Sequence, residues 1–289
     1  MENLAEAFLK LGREDFSLLS AIETGMRDYE WVPLSEISKF SGMPGRKAEF
    51  GLGLLFEQKL VTREILHYHG YQIGFDAYDL LALSDFAKRD QVKSLGEQIG
   101  VGKESVVYEA LGLTPLVIKF HRQGRTSFKH VRRLRDHLTD LPRVPSLYAA
   151  ALAARHEFQV MQKLSGAVAV PRPVAISRHA LAMERVEGHP LNRITLTNPK
   201  DYLDMIALEV AKSWHLGIVH ADLSEFNIMA NDEGIKIIDW PQAVESTHPH
   251  AMELLKRDLS NVLRFFARKY KLKMDLEEIL YLVTSQEVG

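Results

Sequence analysis

The sequence predicts an α+β chain in two parts. The first ninety residues carry helical periodicity broken by a tight glycine turn, and from about residue 93 short β-rich runs alternate with long helical ones. The 289 residues, 46% hydrophobic and 26% charged, are enough to bury a core without covalent staples.

In the first part, Asp15 to Tyr29 places Phe16, Leu19, Ile22 and Met26 on one helical face. A short helix is expected from about Leu34, with Ser35 as N-cap. The turn Ser41-Gly42-Met43-Pro44 follows, then a longer helix to about Leu60. That is the helix-turn-helix order. Two β-rich runs, VTREILHYHG and YQIGF, read as a hairpin around Gly70. Three helices and a hairpin make a winged helix over residues 1–84; an undifferentiated small helical domain is the plainer alternative. Asp76 to about Lys93 reads as one more helix, with the linker at 85–94.

The second part, residues 95–289, opens with strand, glycine turn, strand and strand (LGEQIGVGKESVVYEALG, TPLVIKFH). The helix PSLYAAALAARHEFQVMQKL and the short strands of AVPRPVAISRHALAMERV come next. Helical NPKDYLDMIALEVAKSWHLG leads into a strand, loop and hairpin in IVHADLSEFNIMANDEGIKIIDW, and two terminal helices close the chain.

Cysteine is absent, which excludes a disulfide scaffold, a Cys-ligated metal and a Cys nucleophile, and fits a reducing compartment. The N-terminus has neither the cationic nor the apolar region of a signal peptide, and no run approaches 18 apolar residues, so no membrane association is expected. The net charge of −2 argues, as an average, against a nucleic-acid binder. The average hides segregation: residues 1–90 carry −5 and residues 119–143 carry +6. That basic run is either a solvated loop or a surface for RNA phosphates, and Thr126, Ser127 and Thr139 within it are candidate autophosphorylation sites. In the winged helix, Arg46, Lys47 and Lys59 fall where recognition contacts would be made.

Three elements carry chemistry. GVGKES, Gly100 to Ser105, is not a Walker A loop: Glu97 stands where a glycine is needed, Ser105 comes one residue late, and a strand rather than a helix follows. What remains is a glycine turn, either a plain hairpin or one bringing Lys103 and Ser105 to phosphate oxygens. Lys119 sits in the apolar strand LVIKF. It is either an edge-strand lysine that snorkels into water or a phosphate-binding lysine needing an anionic partner, for which Glu157 is the candidate. HADLSEFNIM places Asp222 and Asn227 five residues apart, and IKIIDW ends in Asp239 twelve residues further on. An Asp aimed at the transferred group, with an Asn and an Asp to hold Mg2+, is the set that phosphoryl transfer requires.

The ordered series resembles the protein kinase-like superfamily, with HADLSEFN matching an H-x-D-x4-N catalytic loop and IIDWP standing where kinases have D-F-G. Only 50 residues follow Asp239, none reading A-P-E, so the activation loop and peptide-binding helical region are missing. GVGKES also lacks a third glycine. Both departures, with GKES, D-L-S-x-x-N and IIDWPQ, resemble the RIO family of atypical serine/threonine kinases. The winged helix resembles the second RIO subfamily, and the length its archaeal members.

The resemblance implies a bilobal domain, with an N-lobe at 95–186 and a C-lobe at 187–289. It implies that Gly100, Gly102, Lys103, Glu104 and Ser105 cover the triphosphate and that Lys119 contacts phosphates and pairs with Glu157. Met183 would be the gatekeeper, and Glu184 and Val186 would offer backbone groups to adenine. Asp222 would be the catalytic Asp, and Asn227 and Asp239 would hold the metal; Asp239 could itself accept the phosphoryl group. The implied cofactors are ATP with Mg2+ or Mn2+. The implied partners are a small ribosomal subunit precursor and its rRNA, in the cytoplasm. Two rivals remain: a small-molecule phosphotransferase of the aminoglycoside or choline kinase type, and a nucleotide-sensing winged-helix DNA regulator.

Overall fold

A computed structural model describes residues 4–65, 67–122 and 146–285. The chain divides into two compact units, residues 1–152 with 175–181, and residues 153–174 with 182–289.

The first unit begins with α1 (Leu4–Leu9), α2 (Arg13–Gly25), β1 (Val32–Pro33), α3 (Leu34–Ser41), α4 (Gly45–Glu57), β2 (Val61–Ile65), β3 (His69–Ile73) and α5 (Phe75–Lys88). The strands form an antiparallel sheet in the order β1-β3-β2. Gly42 ends α3 in the left-handed conformation (φ 69°), as a tight helix-helix turn requires. Leu18, Leu19, Ile22, Ile37, Leu52 and Leu55 close a core between the helices.

Several boundaries differ from the sequence reading. Helix α2 stops at Gly25, because the carbonyl of Gly25 receives the N–H groups of both Asp28 and Tyr29 in a turn. Ser35 does not cap α3; it lies inside the helix, and Pro33 holds the cap position because its strand pairs with Gly70. Helix α4 ends at Glu57, and Lys59 takes φ 61° to reverse the chain. The hairpin connection lies between Ile65 and His69, and Gly70 is inside β3, opposite both Glu64 and Pro33. Helix α5 ends at Lys88 rather than about Lys93; Leu80, Leu81, Ala82 and Phe86 are buried, and residues 89–93 connect it onward.

The same unit holds β4 (Ser94–Val101), β5 (Ser105–Leu111) and β6 (Pro115–His121). They lie in a sheet ordered β4-β5-β6-β8-β7, with β7 at Pro173–Ser177 and β8 at Ala180–Glu184; residues 175–181 of these two strands belong to this unit.

Helix α6 (Ser146–Leu164) runs into the second unit. There follow β9 (His189–Pro190), a 3-10 turn (Leu191–Arg193), α7 (Pro199–His215), β10 (Ile218–Val219), β11 (Ile228–Asn231), β12 (Gly234–Ile237), β13 (Val244–Glu245), α8 (Ala251–Tyr270) and α9 (Leu276–Ser285). Strands β12, β11 and β9 form one small sheet in that order, and β10 pairs with β13. Helix α8 buries Leu255, Leu259, Val262, Phe265 and Phe266 along one stripe. No helix among the described residues is long and apolar enough to cross a membrane.

Candidate active site

In the second unit, the loop between β10 and β11 carries Asp222 and Asn227. Ala221 adopts φ 63°, a conformation L-residues seldom take, so its surroundings must hold it there. Helix α8 does so. Asp258 accepts the N–H of Ala221 on Oδ2 (2.7 Å) and the N–H of Leu223 on Oδ1 (3.1 Å). Arg257 donates to the Ala221 carbonyl, and Asn261 Nδ2 donates to the Leu223 carbonyl (3.1 Å). The main chain on both sides of Asp222 is thus gripped by one helix, while the Asp222 side chain is exposed. Burial raises the pKa of Asp258 to about 7, against the opposing pull of the two N–H groups that it accepts.

Asn227 Nδ2 donates to the Asp222 carbonyl (2.8 Å), and the Asn227 carbonyl accepts the N–H of Ile238 (2.9 Å). These bonds tie the loop to the end of β12. Asp239 follows at φ 69°, a second strained non-glycine residue. Its neighbour Trp240 is buried, with its ring nitrogen donating to Ile237 O (3.0 Å) and its backbone N–H to Glu157 Oε1 (3.0 Å). Glu157 on α6 is fully buried. His220 packs against the Trp240 ring (centroids 4.5 Å apart), and its Nε2 lies 3.0 Å from the Ile238 carbonyl.

The segment Met183 to Val186 is also in this unit. Met183 is buried. The N–H of Glu184 donates to Arg172 O (2.9 Å), so of its two backbone groups it is the carbonyl that it can offer a ligand. Its carboxylate takes the N–H of Arg172 (3.2 Å) and meets Lys236 (3.4 Å).

In the first unit, the turn between β4 and β5 is closed by Gly102 N–H to Ser105 O (2.8 Å). Neither Gly100 nor Gly102 has a left-handed φ, and a Cβ on either would meet nothing nearer than 3.6 Å. The β4–β5 ladder has a register shift between Gln98 and Gly100, an irregularity that glycine accommodates. Lys103 is exposed, and Glu104 and Ser105 are half-buried. Lys119 is only 5% exposed on β6, which has strands on both sides; the edge-strand reading fails.

In the second unit, the oxygens of Asn227 and Asp239 are of the kind that magnesium takes. Among the described residues, no cluster of three or more His, Asp or Glu forms a ready-made metal cage. Mg2+ needs none where phosphates and water complete its shell, since one or two protein oxygens then suffice. Asp239 supplies a carboxylate. The Asn227 amide nitrogen is committed to Asp222 O, so Oδ1 is the atom that it can give a cation.

Comparison with known proteins accords with this geometry. A description of the RIO domain matches residues 106–279, and one of the Rio2 N-terminal domain matches residues 8–89. The chain belongs to the RIO family. It is 39% identical to the RIO-type serine/threonine-protein kinase Rio2 of Methanocaldococcus jannaschii over 273 residues, covering 90% of this chain and 100% of that one. It is 35% identical to the serine/threonine-protein kinase rio2 of Schizosaccharomyces pombe, covering 94% and 80%. The crystal structure of the Rio2 kinase–ADP/Mg2+–phosphoaspartate complex from Chaetomium thermophilum is similar over 99% of this chain and 90% of that one, with TM-score 0.83 and 31% identity. The winged helix and the RIO kinase domain are therefore both present, and the chain is a RIO-type ATP-dependent phosphotransferase.

The sequence reading did not single out Arg257, Asp258 and Asn261 of this RIO domain. Their only signal is spacing, with Asp258 and Asn261 three apart on a helix whose apolar stripe would otherwise bury the carboxylate unpaired.

Proposed function

We propose that the protein is an ATP- and Mg2+-dependent serine/threonine kinase or ATPase switch that acts in the cytoplasm on the maturing small ribosomal subunit. The observation that carries the chemical part is the clamped loop: helix α8 holds Asp222 by the main chain on both sides, and Asn227 ties it to the segment bearing Asp239.

Asp222 is the group that would orient and deprotonate the attacking nucleophile. Asn227 and Asp239 would hold Mg2+, which supplies charge neutralisation at the phosphates. The turn from Gly100 to Ser105, with Lys103 and Ser105, would cover the phosphates, and Lys119 would contact them. The Glu184 carbonyl and the Val186 N–H would take the adenine edge, behind the buried Met183. Glu157, by accepting the Trp240 N–H, holds the backbone next to Asp239.

The phosphoaspartate in the Chaetomium relative supports an aspartate acceptor, for which Asp239 is the candidate here. Its carboxylate oxygen would attack the γ-phosphorus, ADP would leave, and water would then cleave the acyl phosphate. An assembly that binds in one nucleotide state and releases in the other fits such a cycle.

The ribosomal partner is what the RIO resemblance implies, and charge supports it. Residues 119–143 carry +6, a pattern suited to RNA phosphates. Most of that run, including Thr126, Ser127, Arg132, Arg133, Arg135 and Thr139, lies outside the described residues. The winged helix gives weaker support: α4 exposes Arg46 and Lys47, but Lys47 is paired with Glu14, and Phe50 and Leu54 are exposed beside them.

Sedimentation of cell extract tests the partner. Comigration with small-subunit precursors, lost when Arg132, Arg133 and Arg135 become Glu, is expected. Confinement of the wild-type protein to the top of the gradient would contradict it. Fast ATP turnover dependent on an amino-alcohol or aminoglycoside would instead favour the small-molecule phosphotransferase.

A further inference from the structure

Arg122 is counted in the basic run, yet its side chain turns inward. Its guanidinium bonds Asp79 on α5, the last helix of the winged-helix module, and lies 4.9 Å from the Phe75 ring centroid. Asp79 is buried. The other Asp79 oxygen lies 2.7 Å from His179 Nε2 in the β7–β8 turn. His179 is wholly buried and stacks on Tyr78 (4.6 Å). A buried ion pair gives little net stability compared with apolar packing, but parting it strands a buried charge, which holds Arg122 against Asp79.

What Arg122 fixes is visible in its main chain. Its backbone N–H donates to the carbonyl of Glu104 (2.6 Å), inside the Gly100–Ser105 turn. The turn is otherwise closed by Gly102 N–H to Ser105 O, and Ser105 pairs with His121, the residue before Arg122. One residue therefore joins α5 through its side chain and the glycine turn through its backbone.

A second tie joins the winged-helix module to the β7–β8 turn without touching the glycine turn. Arg178, held at φ 53°, bonds Glu23 on α2 (2.7 Å) and Asp85 on α5 (2.6 Å). It provides an internal control.

We infer that Arg122 is a positioning residue for the nucleotide turn: Asp79 sets its side chain, its backbone sets Glu104, and the state of the winged helix thereby tunes affinity for the triphosphate. This rests on the assignment of Gly100–Ser105 to the phosphates.

The test compares three forms of the full chain. The paired variant Asp79→Asn with Arg122→Met removes both charges at once, so that no carboxylate is stranded. Arg122→Lys keeps the charge, and Arg178→Met cuts only the second tie. The readouts are KM for ATP with Mg2+, kcat, melting temperature, and hydrogen exchange of residues 100–105 in nucleotide-free protein. The paired variant should raise KM about five- to tenfold with kcat within about twofold, and should speed exchange in the turn. Arg122→Lys should recover most of the loss. Arg178→Met should lower the melting temperature without changing KM or turn exchange. Unchanged KM and exchange in the paired variant, or an equal rise in KM for Arg178→Met, would overturn the inference. Absence of ATP binding by the wild type would instead overturn the nucleotide assignment, and turn exchange would still report on Arg122. If the paired variant does not fold, Asp79→Asn alone carries the same expectations.

Discussion

Asp258 illustrates how much one carboxylate can organise. It touches no reacting atom in this scheme, yet its two oxygens hold the N–H groups on either side of Asp222. Asparagine offers one acceptor oxygen where two are used. Asp258→Asn is therefore expected to lower kcat about tenfold, with KM for ATP little changed, the size of one lost hydrogen bond to a charged group; steady-state ATPase kinetics check it. The same residue predicts a pH effect. Its folded pKa, about 7, stands above the ordinary 3.8 of the unfolded chain, so the folded state binds the proton more tightly. Its contribution to stability is complete below pH 4 and is lost as pH rises through 7. Wild-type melting temperature should fall relative to Asp258→Asn across that window. His179 works in the opposite direction. Burial lowers its pKa to about 4 from 6.5, so its contribution is present above pH 6.5 and fades on acidification toward 4, by on the order of 3 kcal/mol. A His179→Gln variant should flatten that acid limb in a pH series of thermal melts.

At the scale of elements, strand β3 is packed tightly enough to make a sharp prediction. A Cβ on Gly70 would stand 2.6 Å from Trp31 Cβ, a contact between stiff atoms near the main chain. Gly70→Ala should destabilise the protein by about 1–3 kcal/mol, read by chemical denaturation, whereas Gly100→Ala should leave stability almost unchanged because a Cβ there would make only ordinary contact with Val107. The same strand shows where sequence reading fails. Gly70 looks like a turn residue because glycine most often marks turns, but here it makes room for an aromatic ring brought from 39 residues away. Tertiary contacts of that kind leave no local trace. The ends of α2 and α4 were misplaced for a related reason: periodicity continues past Gly25 and Glu57, while the turn at Gly25 and the positive φ of Lys59 end the helices. Long periodic segments such as α7 and α8, and the glycine turn between β4 and β5, were legible because their signals are local.

At the scale of the molecule, the ordered motif series carried more than any single element. Asp222, Asn227 and Asp239 were legible as candidates from their spacing, since phosphoryl transfer needs few residue types and needs them in order. Their support was not: Asp258, Arg257 and Asn261 act through main-chain groups, and any sequence presents those. The joining of the winged helix to the first strands of the RIO domain was also hidden, because Asp79, Arg122 and His179 lie 43 and 57 residues apart along the chain. The net charge of −2 likewise said nothing about Arg122, a basic residue spent inward on Asp79. One measurement bears most directly on the phosphoryl-transfer site: ATP turnover with Mg2+ by wild type, Asp222→Asn and Asp239→Asn, with folding verified by thermal melts. Both variants should fold, and both should lose turnover by at least about 100-fold, as expected when a group stabilising the transferring phosphoryl is removed. Wild-type turnover in a folded Asp239→Asn variant would contradict the assignment.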